Sequence, residues 1–126
     1  MKQTMRRLGI EVLSAVGPRL PGIALRRRVC DRMVPYLMDD EVLPRGLWSR
    51  RLSGHPVRVL CDPYVYTHRA PFWCGHLFEE ELERYLRREM RRGDTFIDVG
   101  CNVGQVSVLA AAIVGTSGRV HAFEAN

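Results

Sequence analysis

The residues best suited to chemistry lie in the last quarter of the chain, where two carboxylates flank a turn that contains two glycines. Asp98 precedes the turn at residues 100–104, which reads Gly-Cys-Asn-Val-Gly, and Glu124 follows 26 positions after Asp98. Glycine and asparagine tolerate positive φ, so a ligand can approach the backbone at Gly100 without meeting a Cβ. In nucleotide-binding folds, an acid about 20 residues beyond such a turn accepts the ribose hydroxyls. The combination indicates a nucleotide-type binding site.

Two strands and one helix must position these residues. Residues 95–99 form a short apolar, β-favouring run, and residues 119–124 form a second run that ends in the second carboxylate. Between them, apolar residues recur at spacings of three and four over 105–114, which predicts an amphipathic helix closed by Gly115. Gly104 is expected to start this helix close to the sheet, with unpaired amide donors at its N-terminus. The pattern predicts the opening βαβ unit of a doubly wound sheet, whose ligands lie at the carboxyl ends of the strands.

At these residues the chain resembles the FkbM-type methyltransferases, which use S-adenosylmethionine (SAM) and have a Rossmann-like fold. The family signature is similar to D-V-G-A-N-x-G, then an apolar helix, a G-x-x-G turn and an acid in E-P-N. The corresponding segments here are residues 98–104, 115–118 and 124–126. Cys101 stands where alanine is usual and Ala125 where proline is usual, and both replacements are small residues.

The resemblance implies roles for individual residues. It places Asp98 and the loop 100–104 at the methionine end of SAM, and it places Glu124 at the ribose. The cofactor-binding residues that it implies are Asp98, Gly100, Cys101, Asn102, Gly104 and Glu124. The close match covers 33 of the 126 residues, and the preceding segment matches more loosely.

Two other interpretations of the loop stay open. A strand, turn and helix can be purely structural, because glycines mark turns of every kind. A site for a nicotinamide or flavin dinucleotide would show G-x-G-x-x-G. Here Asn102 stands in place of the second glycine and Gln105 in place of the third, which favours SAM over a dinucleotide.

Composition and patterning predict the wider fold. With 46% hydrophobic and 26% charged residues, the chain is globular rather than disordered. We predict an α/β protein with three segments: a basic, mainly helical region at 1–50, a strand, aromatic lead-in and helix at 51–92, and the βαβ unit at 93–126. This last unit is the start of a Rossmann-like doubly wound sheet. The sheet is expected to be incomplete, because this unit supplies only two strands and one helix, whereas a SAM-binding fold needs several more strands. An isolated βαβ unit buries too little apolar surface to offset its chain entropy.

The middle segment contains a predicted strand at 55–62 and the clearest predicted helix, at 77–92. The helix has Glu79, Glu80 and Glu81 in its first turns, arginines near its end and Gly93 as its C-terminal cap. Two i,i+4 pairs in the favourable orientation are expected, Glu80 with Arg84 and Glu83 with Arg87. Tyr64, Tyr66, Phe72 and Trp73 precede the helix, and filling the core is their default role, with an acceptor pocket as the alternative.

The net charge of +5 comes mostly from arginine. Such an excess of positive charge favours contact with nucleic acid, anionic lipid or an acidic substrate. Because no aromatic residues interleave the arginine runs, we predict solvated helix faces and no nucleic-acid partner. The segments 8–16 and 23–37 are expected to pack as short amphipathic helices, with contact to an anionic membrane surface as the alternative. No apolar run is long enough for a membrane span.

The four cysteines, Cys30, Cys61, Cys74 and Cys101, show no C-x-x-C spacing, and the four histidines are scattered. We therefore predict reduced thiols, no disulfide framework, no metal site and a cytoplasmic location.

These patterns lead to an expected function. We expect the N-terminal portion of a SAM-dependent methyltransferase of the FkbM type, which methylates a hydroxyl of a sugar, glycan or small metabolite. No catalytic base can be assigned from the sequence. The alternative is a non-catalytic remnant or interaction module, as a homo-oligomer or with a partner that completes the sheet.

Overall fold

The computed structural model describes residues 2–37, 46–52 and 54–125. It shows a mixed helix and strand protein with two separate two-stranded sheets, so the coarse prediction of an α/β protein is confirmed. The finer prediction of a doubly wound, Rossmann-like sheet stays a prediction. One hydrophobic cluster runs through the molecule, from Ile10 in the first helix to Leu109 in the last.

Two helices form the N-terminal part. Helix α1 spans Lys2–Val16, a turn of 3-10 helix spans Gly17–Arg19, and helix α2 spans Ile23–Leu37. One side of α1 buries Ile10 and Leu13. Its other side exposes Met5, Leu8, Val12 and Val16. Among the helices that the structure describes, none is long and apolar enough to cross a membrane. Contact of the segments 8–16 and 23–37 with an anionic membrane surface stays the untested alternative.

A short antiparallel hairpin follows. Strand β1 spans Trp48–Arg51 and pairs with strand β2, Arg58–Cys61. Strand β1 was not predicted, and it crosses the boundary expected between residues 50 and 51. The strand predicted at 55–62 is shorter than expected because its first residues form the turn, in which His55 N donates to Leu52 O.

The aromatic lead-in forms the centre of the core. A 3-10 turn, Tyr66–His68, runs into the short helix α3, Arg69–Cys74. Phe72 and Trp73 are completely buried, which confirms the core role predicted for them, whereas Tyr66 is exposed. Helix α3 contacts both N-terminal helices and both strands of the hairpin.

Helix α4 spans Glu80–Glu89 and is shorter at both ends than the predicted 77–92. At its start, the backbone N–H of Leu77 donates to the buried carboxylate of Glu83 at 2.6 Å, outside the helical pattern. At its end, Met90 is already extended and the N–H of Arg91 donates to Asp94. Both predicted i,i+4 pairs are present: Arg84 with Glu80 at 2.8 Å, and Arg87 with Glu83.

The cysteines correct the sequence prediction. Cys30 on α2 and Cys74 at the end of α3 form a disulfide, with their Cα atoms 6.8 Å apart. The prediction of four reduced thiols was wrong because these cysteines lie 44 positions apart, and only the packing of α2 against α3 brings them together. Cys61 and Cys101 are free thiols. The predicted cytoplasmic location rested on reduced thiols, so it loses that support and stays a prediction.

The last three elements form the βαβ unit. Strand β3 spans Thr95–Val99, helix α5 spans Gln105–Val114, and strand β4 spans Arg119–Phe123. The two strands are parallel, and α5 packs against both. Their register pairs Val99 with Phe123, so both strands end at the same edge. The bounds of β3 and α5 agree with the prediction, and β4 is one residue shorter.

Candidate functional site

The loop after β3 has the backbone that its residue types predict. Gly100, Asn102 and Gly104 have φ values of 79°, 51° and 76°. The N–H groups of Gly100 and Cys101 both donate to the carbonyl of Phe123, which joins the loop to the end of β4. A Cβ at Gly104 would meet no atom within 4 Å. The positive φ therefore explains this glycine. The expectation that Gly104 starts the helix close to the sheet stays a prediction.

Glu124 lies directly beside this loop. Its carboxylate accepts hydrogen bonds from the backbone N–H of Asn102 at 2.7 Å and of Ala125 at 2.8 Å. The first bond spans 22 positions of sequence and is charge-assisted, which makes it stronger than a neutral one. The side chain is exposed, and a carboxylate has about four acceptor positions.

Asp98 is held by a residue that sequence reasoning missed. The hydroxyl of Ser107, in the first turn of α5, donates to the Asp98 carboxylate at 2.5 Å. The hydrogen bond fixes one oxygen of Asp98 at the end of β3. A serine near a helix N-terminus was the available signal, but the same residue is common there for reasons of helix capping alone.

The N-terminus of α5 adds donors to the site. The first amides of a helix have no acceptor within the helix, and the aligned peptide dipoles give this end a partial positive charge. Helix α5 begins directly after the loop, with the N–H of Val108 donating to the carbonyl of Gly104. The amides before Val108 in the helix suit a bound carboxylate.

A cavity of about 460 Å³ lies against the loop. Four of the six implied residues line it: Asp98, Gly100, Cys101 and Asn102. Gly104 and Glu124 do not line it. Gly104 is the last residue of the loop, and Glu124 contacts the loop through the N–H of Asn102. Gln105 also lines this cavity. Its side-chain nitrogen is buried and has no hydrogen-bond partner in the described structure.

The opposite wall of this cavity comes from the middle segment. Its residues are Thr67, Leu77, Phe78, Glu79 and Leu82. The sequence did not indicate these residues. The alternative of an acceptor pocket in the lead-in was based on four other residues, none of which lines this cavity: Tyr64, Tyr66, Phe72 and Trp73. The βαβ loop and the segment before α4 therefore enclose one space, of a volume typical for small-molecule sites, about 300–1,000 Å³.

The comparisons with known proteins do not extend these observations. No protein-family model, curated protein or solved structure matches this chain. Among the residues that the structure describes, no three His, Cys, Asp or Glu side chains gather in a group that could hold a metal ion.

Proposed function

We propose that this chain binds SAM at the loop cavity and is a methyltransferase of the FkbM type. The observation that supports the proposal most directly is the shared edge of β3 and β4. There the loop, Asp98 and Glu124 meet beside a cavity of about 460 Å³. These are the residue types that the resemblance assigns to the cofactor, and parallel strands hold their ligands at this edge.

The residues of the site match the chemical groups of SAM. The carboxylate of Asp98 can accept from the ammonium of the methionine end, while the first amides of α5 can donate to its carboxylate. Glu124 can accept the ribose hydroxyls, and its hydrogen bond to the loop keeps the two parts of the site together.

The implied reaction is methylation of a hydroxyl on a sugar, glycan or small metabolite. When bound, SAM supplies a methyl group made electrophilic by a positively charged sulfur. The chain contributes by holding the cofactor in a fixed orientation, which favours attack by a positioned acceptor. A cytoplasmic location, with no nucleic-acid partner, belongs to the same proposal.

Calorimetric titration with SAM tests the proposal. The native chain is expected to bind SAM saturably. Asp98→Asn and Glu124→Gln keep the side-chain shape but remove a negative charge, and each is expected to weaken binding about tenfold or more, the loss of one charged hydrogen bond.

Glu81→Gln is the matched control, because Glu81 is an exposed carboxylate on α4 that does not line the loop cavity. This variant is expected to bind as the native chain does. Absence of saturable binding in a folded sample, or equal weakening in the control, would show that the site is not a SAM site.

A second function is supported by a different observation. On one face of the β3–β4 sheet, three apolar side chains, Ile97, Val99 and Phe123, are 62%, 81% and 58% exposed. Apolar residues exposed together on one sheet face are characteristic of a protein interface. We propose as the alternative a non-catalytic interaction module whose sheet is covered or completed by a second copy or another partner.

A further inference from the structure

A second cavity, of about 160 Å³, lies between α2, the Tyr66–His68 turn and α3. It shares only Phe78 with the loop cavity. Aromatic rings form much of its wall, since Tyr66, Trp73 and Phe78 all line it. The rings of Tyr66 and Phe78 meet edge to face, with centroids 5.0 Å apart. The Cys30–Cys74 disulfide joins α2 to α3, and both cysteines line the cavity.

Among the described residues, the charges that line this cavity include one positive charge without a counter-ion. Arg27 and Asp31 both line it, and they pair with each other at 3.7 Å. Arg69 also lines it and forms no ion pair with any residue in the described ranges. Its Nε donates to the carbonyl of Pro63, and its guanidinium carbon lies 5.8 Å from the centre of the Tyr66 ring. The remaining guanidinium donors suit a carboxylate, which matches their planar geometry.

Two polar atoms in the wall residues add to this picture. The indole nitrogen of Trp73 and Nε2 of His76 are buried, and neither has a hydrogen-bond partner within the described structure. The indole N–H can only donate. His76 Nδ1 lies 2.7 Å from the carbonyl of Leu77 and donates to it, which leaves Nε2 of the neutral ring as an acceptor.

We propose that this cavity binds a small aromatic carboxylate. Its size fits such a ligand, because an apolar cavity of about 150 Å³ accommodates a benzene ring. The ring would pack against Trp73, Tyr66 and Phe78, and the carboxylate would pair with Arg69. The proposal is independent of the proposed function, since SAM is assigned to the other cavity.

Benzoate is the probe, and benzyl alcohol, which has the same ring without the charge, is the matched ligand control. In a titration followed by protein-observed NMR, the native chain is expected to bind benzoate saturably. Its affinity for benzyl alcohol is expected to be lower by about tenfold or more, which corresponds to the loss of one charge-assisted hydrogen bond. The shifted resonances are expected to include the Trp73 indole N–H and the amides around Arg69.

Two variants separate charge from volume. Arg69→Met removes the guanidinium and keeps an unbranched apolar side chain, and Ala70→Leu fills space at a residue that lines the cavity. Each is expected to weaken benzoate binding about tenfold or more. Arg119→Met, an exposed arginine on β4 that does not line the cavity, is expected to leave it unchanged.

The proposal is overturned if the folded native chain shows no saturable benzoate binding, or if benzyl alcohol binds equally well. It is also overturned if the shifts map away from the cavity, or if folded Ala70→Leu binds as the native chain does. Should either variant fail to fold, the comparison of the two ligands on the native chain still decides the outcome.

Discussion

The hydroxyl of Ser107 and the carboxylate of Asp98 hold each other in place across the start of α5. Glu124 and the amide of Asn102 do the same between β4 and the loop. In both pairs the side chain that would meet a ligand is already oriented by a partner. Such orientation reduces the entropy lost on binding, which favours recognition by an otherwise small site.

The two free cysteines are expected to differ in reactivity. Burial raises the pKa of the Cys61 thiol to about 11 from its ordinary value of 9.0, and the nearby Arg50 only partly opposes the effect. Since the thiolate is the reactive form, Cys61 should be alkylated slowly at pH 8, while the partly exposed Cys101 reacts first. Mass spectrometry after alkylation is expected to find two modified cysteines in the unfolded, unreduced chain and four after reduction.

The same raised pKa sets a pH dependence of stability. The folded state holds the Cys61 proton more tightly than the unfolded state does. Its contribution to stability is therefore fully present below pH 9 and is lost as the pH rises towards 11.

Four reactive thiols before reduction, or faster alkylation of Cys61 than of Cys101 in the folded chain, would contradict this account of the cysteines.

At the scale of single residues, the sequence predicted those features that depend only on the residue and its immediate neighbours. The positive φ of the loop follows from its Gly and Asn residues, and the acid at the end of β4 is visible in the motif. The disulfide, the Ser107 hydrogen bond and the unpartnered Gln105 nitrogen could not be predicted. Each depends on how separate elements pack, and no local pattern encodes that.

Among the elements, α4 depends on one buried carboxylate. Glu83 is 1% exposed, and it accepts from the N–H of Leu77 while pairing with Arg87. Glu83→Gln keeps the shape but removes the charge, and it is expected to lower the free energy of unfolding by about 1–3 kcal/mol. The measurement is urea denaturation followed by circular dichroism.

Glu81→Gln on the same helix serves as the control, because this carboxylate is exposed. Changes on an exposed helix surface usually stay within about 0.5 kcal/mol. Equal stability of the Glu83 variant and the native chain would mean that the buried carboxylate does not hold the start of α4.

Elements with strong periodicity were predicted with accurate bounds, and those set by tertiary contacts were not. The helix at 105–114 and the strand at 95–99 have clear apolar patterns between glycine turns. Strand β1, Trp48–Arg51, carries two arginines in four residues and becomes a strand only by pairing with β2. The predicted helix at 77–92 was too long at its start because the apolar pattern cannot show that the Leu77 N–H donates to the Glu83 carboxylate.

For the whole molecule, the exposed face of the β3–β4 sheet predicts association. Val99, Ile97 and Phe123 lie on this face, and burying them against another chain would be favourable because apolar area leaves water. The native chain is expected to show concentration-dependent oligomers in sedimentation velocity. Ile97→Lys is expected to shift it towards monomer, because it removes apolar area from the contact in addition to placing a charge on the open sheet.

Thr95→Lys is the control, because Thr95 is exposed on the same strand but is not apolar. It is expected to change association less than Ile97→Lys does. A native chain that is monomeric at every concentration tested would remove the support for the interaction-module alternative.

The central claim is that SAM binds at the shared edge of the two parallel strands, and NMR titration of the ¹⁵N-labelled native chain with SAM tests it most directly. We expect saturable shifts of the amides of Gly100, Asn102 and Gly104 and of the Gln105 side-chain amide, with the Trp73 indole unchanged. No shifts, or shifts confined to residues outside the loop and the start of α5, would contradict the account.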